Sequence, residues 1–277
     1  MNISKLDQNY LKYKNAGIKF EFILPSILFS IISFIGILFN ISLCYITIKY
    51  RKQYLIFKSN TSILLTINCF FEILHQSGNF IYLIISLSGI NLIPFGKAIV
   101  YQTHSIVGFY SAVFMFNSLS IDRLFAAAFP ISYQSLNKYY YIFIHLFILL
   151  LFICHIIFII IKSALNFYYW PVNGSLSDFN GILIKENIYL SLLPFIITMT
   201  FPAIISYIFV GLIIMFKKVY SQDKMKRVYR SLFLIVCINI DKKPFYFHIF
   251  MIIPVLIINI ASSSNSPILY INSFIKI

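Results

Sequence analysis

Long uncharged runs separated by short basic segments set the pattern of this chain. Runs at about 22–48, 61–87, 98–121, 139–161 and 188–216 carry at most one formal charge each. Each is long enough to cross the roughly 30 Å hydrocarbon layer as a helix, which takes about 20 residues. Barrel strands would alternate apolar and polar positions over about ten residues, whereas these runs are continuously apolar. Two further segments, 224–240 and 245–271, bring the expected helix count to six or seven. The first is incomplete, because its apolar part, Ser231 to Ile240, ends at Asp241, Lys242, Lys243 and Pro244. Ten helical residues span about 15 Å, half a membrane.

Composition agrees with a bilayer environment. The 277 residues are 60% hydrophobic and 11% charged, where a soluble domain has about 25% charged residues. The net charge of +14 would suit nucleic acid, but the basic residues sit between the apolar runs, so no nucleic-acid partner is expected. Their distribution sets an orientation. Lys49, Arg51, Lys52 and Lys58, then Arg123 and Lys138, then the cluster from Lys217 to Arg230 alternate with basic-poor loops. That places the 1–21 tail outside, although Lys5, Lys12, Lys14 and Lys19 in the tail weigh the other way. The sequons at Asn2 and Asn173 fall on the outer side and are the expected glycosylation sites. The polar, basic start has no signal-peptide pattern, so the first span is expected to serve as its own insertion signal. Cys44, Cys69, Cys154 and Cys237 lie within apolar runs without C-x-x-C spacing and are expected to be small core residues.

Candidate chemistry gathers at a few points. The third span ends in the pair Asp122-Arg123, with Ala126, Ala127 and Ala128, then Pro130, then Tyr133 following. A bare pair would serve as an interfacial anchor, the arginine reaching for headgroups. The second span carries Asn68, Glu72, His75 and Asn79 on one helical face, and the third carries Gln102, Ser105, Phe109 and Ala112 at helical spacing. Glu72 and His75 form an E-x-x-H pair, but carboxylate-bridged metal sites need a second pair and two more glutamates, so no metal and no other cofactor is expected. There is no G-x-S-x-G, H-E-x-x-H or phosphate-binding glycine loop, so the chain is not expected to be an enzyme.

The segment from Asp122 to Tyr133 resembles the inner end of the third helix and the second cytoplasmic loop of rhodopsin-like G-protein-coupled receptors. Leu124 replaces the tyrosine of their D-R-Y motif, as in nematode chemosensory serpentine receptors, and the likeness is to class sx and its neighbours. Gly36 and Asn40 resemble first-helix residues of that family. "SSNSPILYINS" at 263–273 resembles its seventh-helix N-P-x-x-Y signature, with Ser266 for the asparagine and with Pro267 and Tyr270 matching. The resemblance implies an all-α bundle of seven transmembrane helices in the plasma membrane, with an abnormally short sixth span. It implies an activation switch of Asp122, Arg123, Pro267 and Tyr270, and heterotrimeric G-protein contacts at Ala126, Pro130, Tyr133, Lys226 and Arg227. A polar network is implied at Asn40, Asn68 and Glu72, and a small-molecule or peptide ligand near Gln102, Ser105 and Phe109.

Two departures stand out. The sixth span is too short for the family, pointing to a lost coding segment or a receptor remnant that does not signal. The family's outer-loop disulfide has no cysteine in 91–106 or 163–187, so a looser outer vestibule is expected. The chain also reaches Ile277 without an amphipathic eighth helix. A transporter or channel is the alternative, but such proteins place several ionisable groups in mid-membrane; Glu72 alone does so here.

Overall fold

A computed structural model describes residues 13, 16–175, 178–179, 182, 201–203, 205–210 and 213. The expected sixth and seventh spans, with Lys226, Arg227, Pro267 and Tyr270, lie outside the described residues, as do Asn2 and Cys237.

Four long helices dominate: α1 (Phe20–Tyr50), α2 (Asn60–Leu87), α3 (Phe95–Ala128) and α5 (Lys138–Asn166), with a short α4 (Pro130–Ser135) between the last two. The order across the bundle is α1, α2, α3, α5, each packed on the next. Three of them, α1, α3 and α5, are long and apolar enough to cross a membrane. The more polar α2 is enclosed between α1 and α3, where Thr61, Ser77 and Asn79 find side-chain partners, whereas both ring nitrogens of the buried His75 have none among the described residues.

The burial pattern is that of helices in lipid. On α1 the inward stripe is Ser26, Phe29, Ser30, Ser33, Gly36, Asn40, Leu43 and Thr47, whereas Ile31, Phe34, Leu38 and Ile41 face outward. Small and weakly polar residues line the helix contact because lipid already satisfies apolar side chains, so close backbone approach and interhelical hydrogen bonds decide the packing. Asn79 Nδ2 donates to Ser33 Oγ at 2.7 Å, and Ser30 Oγ donates to the Asn79 carbonyl at 3.2 Å, joining α1 to α2. Between α2 and α3, Gly108 allows the two backbones to approach closely. A Cβ there would lie 2.6 Å from the His75 nitrogen and 2.8 Å from the Phe71 carbonyl oxygen.

Local signals explain the helix ends. Ser59 caps α2 by accepting from the Ser62 amide at 3.2 Å, and Asn137 caps α5 by accepting from Tyr139 and Tyr140. Pro130 opens α4 at a position that needs no amide hydrogen. Pro171–Val172 (β2) pairs antiparallel with Ile93–Pro94 (β1), laying the loop after α5 against the outer end of α3. An outer core of Phe95, Ile106, Tyr110, Ile156 and Val172 and an inner one of Leu64, Met115, Leu119 and Leu149 fill the bundle. In the expected fifth span, residues 201–203 and 205–210 are helical, with Ala203, Tyr207 and Val210 buried. Tyr207 meets Phe116 of α3 at 5.8 Å between ring centroids.

Two expectations change. Residues 125–128, read as the start of a loop, are still helical, because nothing between Leu124 and Ala128 interrupts α3 before Pro130. Cys154 is exposed on α5, an outward position rather than a core one; uniform apolarity does not distinguish the two faces of a spanning helix.

Candidate functional site

At the end of the bundle where α3 finishes and α2 begins, a polar arrangement is built around Asp122. This residue is fully buried, so its carboxylate must be compensated by hydrogen bonds. Thr61 Oγ1 of α2 donates to Asp122 Oδ2 at 2.5 Å, and the Tyr133 hydroxyl of α4 donates to Asp122 Oδ1 at 2.8 Å. Tyr133 also packs its ring on Phe125 at 6.0 Å and on Tyr141 at 6.1 Å, and Tyr141 packs on His145 at 4.7 Å. One carboxylate thereby ties the start of α2, the end of α3 and the loop helix together, beside the start of α5. Burial, and then the charge of Asp122, push the Tyr133 phenol up to about 12, so it remains a proton donor throughout the physiological range.

Arg123, the next residue, is exposed. Sequence neighbours on a helix point in different directions, so Asp122 turns into the bundle while Arg123 turns out. Pro130 is exposed and Ala126 half-buried on the same inner surface.

Asn40 is buried on the α1 stripe. Asn68 and Glu72 are half-buried on α2, about two turns and one turn nearer its start than His75, and His75 and Asn79 are buried. Toward the outer end, Gln102, Ser105 and Phe109 are all buried. Gln102 Nε2 donates to the carbonyls of Gly78 and Gly174, Ser105 Oγ donates to the His75 carbonyl at 2.8 Å, and the Phe109 ring lies 5.1 Å from the His75 ring. These three residues thus hold α3 to α2. Asn173 is half-buried in the outer turn, its Oδ1 accepting from the Ser175 amide at 2.8 Å and its own amide donating to Asp178 Oδ2 at 2.9 Å.

Two contributors were missing from the sequence reading. Thr61 lies 61 positions from Asp122, and its place at the start of a span carried no signal of pairing. Asn91, buried with φ 57°, donates its side-chain amide to the carbonyls of Tyr13, Gly17 and Gly89, fastening the N-terminal tail to the α2–α3 turn.

Membrane-length helices meeting through polar stripes define a multi-pass membrane protein. The sequence model of the serpentine-type seven-transmembrane chemoreceptors Srsx matches residues 33–266. The chain belongs to this family of G-protein-coupled chemoreceptors. No curated protein sequence matches it. The match begins within α1 and ends at Ser266, just before Pro267 and Tyr270.

Proposed function

We propose that the chain is a chemosensory receptor of the plasma membrane, with its N-terminus outside, that signals to a heterotrimeric G protein through the inner surface around Asp122. The observation that carries the reading is the buried carboxylate held by both Thr61 and Tyr133, beside an exposed Arg123. In the resting state this arrangement pins the loop helix to the bundle. A small-molecule or peptide ligand entering near Gln102, Ser105 and Phe109 competes with the α2–α3 contacts of those residues and repacks the helices. Movement of α3 against α2 then breaks the Thr61 and Tyr133 bonds, since all three elements share one carboxylate. Release frees Ala126, Pro130 and Tyr133, with Arg123 and the basic Lys226 and Arg227, to receive the G protein. In this scheme Pro267 and Tyr270 complete the switch, and Asn40, Asn68 and Glu72 form the polar network that relays the movement.

The test is basal nucleotide exchange on a co-expressed panel of G proteins, at matched surface levels. Asp122→Asn weakens the hydrogen bonds of the pin and is expected to raise basal exchange. Arg123→Ala is expected to lower it, and the double variant to behave like Arg123→Ala. Exchange at background level for the parent and all three variants would overturn the signalling reading and leave a family member that does not couple.

A further inference from the structure

The other end of α3 carries a second tie, whose contact with the loop after α5 is separate from the α2–α3 contacts of the proposed switch. The Gln102 side chain, 1% exposed, spends both amide hydrogens on backbone carbonyls: Gly78 of α2 at 2.9 Å and Gly174 of the outer loop at 2.8 Å. Around it, the loop satisfies the first turn of α3. Phe95 donates its amide to the Trp170 carbonyl at 2.7 Å and Gly96 to the Tyr168 carbonyl at 2.9 Å, two donors that a helix start otherwise leaves without partners. Gly174 has φ +85°, a conformation that favours glycine, and a Cβ there would run into the Ile85 side chain. Val172, paired with Ile93, is buried in the outer core.

We propose that Gln102, acting with the β1–β2 bridge, is a non-covalent clamp that fixes the outer loop across the ends of α2 and α3 in the mechanical place of a disulfide. No cysteine is present in 91–106 or 163–187 to do this covalently. The residue needed is one that donates twice from a single buried nitrogen. Leucine fills the same space but makes neither hydrogen bond and removes this donor from the Gly174 carbonyl, and an ionised glutamate adds an acceptor where two acceptors already converge. The described part of the outer loop is therefore held by bonds that do not depend on redox conditions. Gln102 is a positioning residue for the loop, and the proposal stands whether or not the chain couples to a G protein.

The test uses the full chain in permeabilised cells, so it needs neither a ligand nor a particular orientation. A cysteine introduced by Val172→Cys is labelled with a water-soluble maleimide, the parent chain giving the background of native cysteines. The site is expected to label slowly, and Gln102→Leu to raise its rate about tenfold, the effect of losing two modest hydrogen bonds. A rate unchanged by Gln102→Leu would overturn the clamp. A second variant joins Ile93→Cys and Val172→Cys in the Gln102→Leu background. Facing residues of an antiparallel pair have Cα atoms about 4.5–5.5 Å apart, within disulfide range. This chain is expected to label only after reduction. Should Gln102→Leu alone fail to accumulate, the cross-linked chain is expected to restore accumulation, and its failure to do so would equally overturn the proposal.

Discussion

Replacing Tyr133 by phenylalanine removes one hydroxyl and little else. The ring contacts with Phe125 and Tyr141, at 6.0 and 6.1 Å, are available to either side chain. What is lost is the 2.8 Å hydrogen bond to Asp122, leaving the buried carboxylate with the hydrogen bond from Thr61 and the nearby Tyr141 hydroxyl. A hydrogen bond to a charged group contributes roughly 1.5–3 kcal/mol, and because Tyr133 is half-buried the low end applies. About 1.4 kcal/mol is a factor of ten in an opening equilibrium. Local release of α4 should therefore be about tenfold more frequent in Tyr133→Phe. Hydrogen–deuterium exchange of the purified chain in nanodiscs reads this directly, at the amides of 131–135, where Tyr133 itself donates to the Phe129 carbonyl at 2.9 Å. Amides deep in α3, such as those near Met115, should be unchanged. Exchange of the α4 amides within about twofold of the parent would refute the idea that the phenol pins the loop helix.

Other expectations follow from the same geometry. Gly108→Ala forces a methyl against the backbone of α2, which cannot yield as a side chain would; a cost of about 1–3 kcal/mol should appear as a lower melting temperature in detergent. Burial raises the Asp178 carboxyl above its ordinary value, so the folded outer turn binds that proton more tightly than the unfolded chain does. Its stabilising contribution is present below the unfolded value and lost as pH rises through the folded one. Asp178→Asn should therefore protect amides 172–175 relative to the parent at pH 7, with the difference shrinking as pH is lowered. Asn173→Gln should abolish a glycosidase-sensitive mobility shift if the outer turn carries a glycan; Asn2→Gln separates the tail's contribution.

The sequence pattern revealed the helices more readily than their partners. Uncharged runs marked the first four spans because few other structures tolerate so many apolar residues in succession. Their ends were less legible: α3 continues through Ala128 and α5 through Lys162 to Asn166, since helix-compatible residues carry each beyond the uncharged run. The neighbourhood of Asp122 was half legible. Its spacing from Pro130 and Tyr133 was the feature that linked the chain to a receptor family, but Thr61 is a distant, ordinary threonine. Gln102 was legible as one of a set at helical spacing with Ser105 and Phe109, whereas its tie to Gly174, 72 residues away, involves a backbone carbonyl that no side-chain pattern could announce. The absence of cysteines suggested a loose outer loop, and the structure substitutes hydrogen bonds made by residues with no motif of their own.

The central claim is a seven-helix receptor whose inner surface, from Asp122 to Tyr133, faces the cytoplasm despite the short segment before Asp241. Epitope tags at the two ends of the full chain, stained in intact and then permeabilised cells, test it most directly. Seven spans predict an N-terminal tag stained on intact cells and a C-terminal tag stained only after permeabilisation. Both tags on the same side would mean an even number of spans, and would contradict the account.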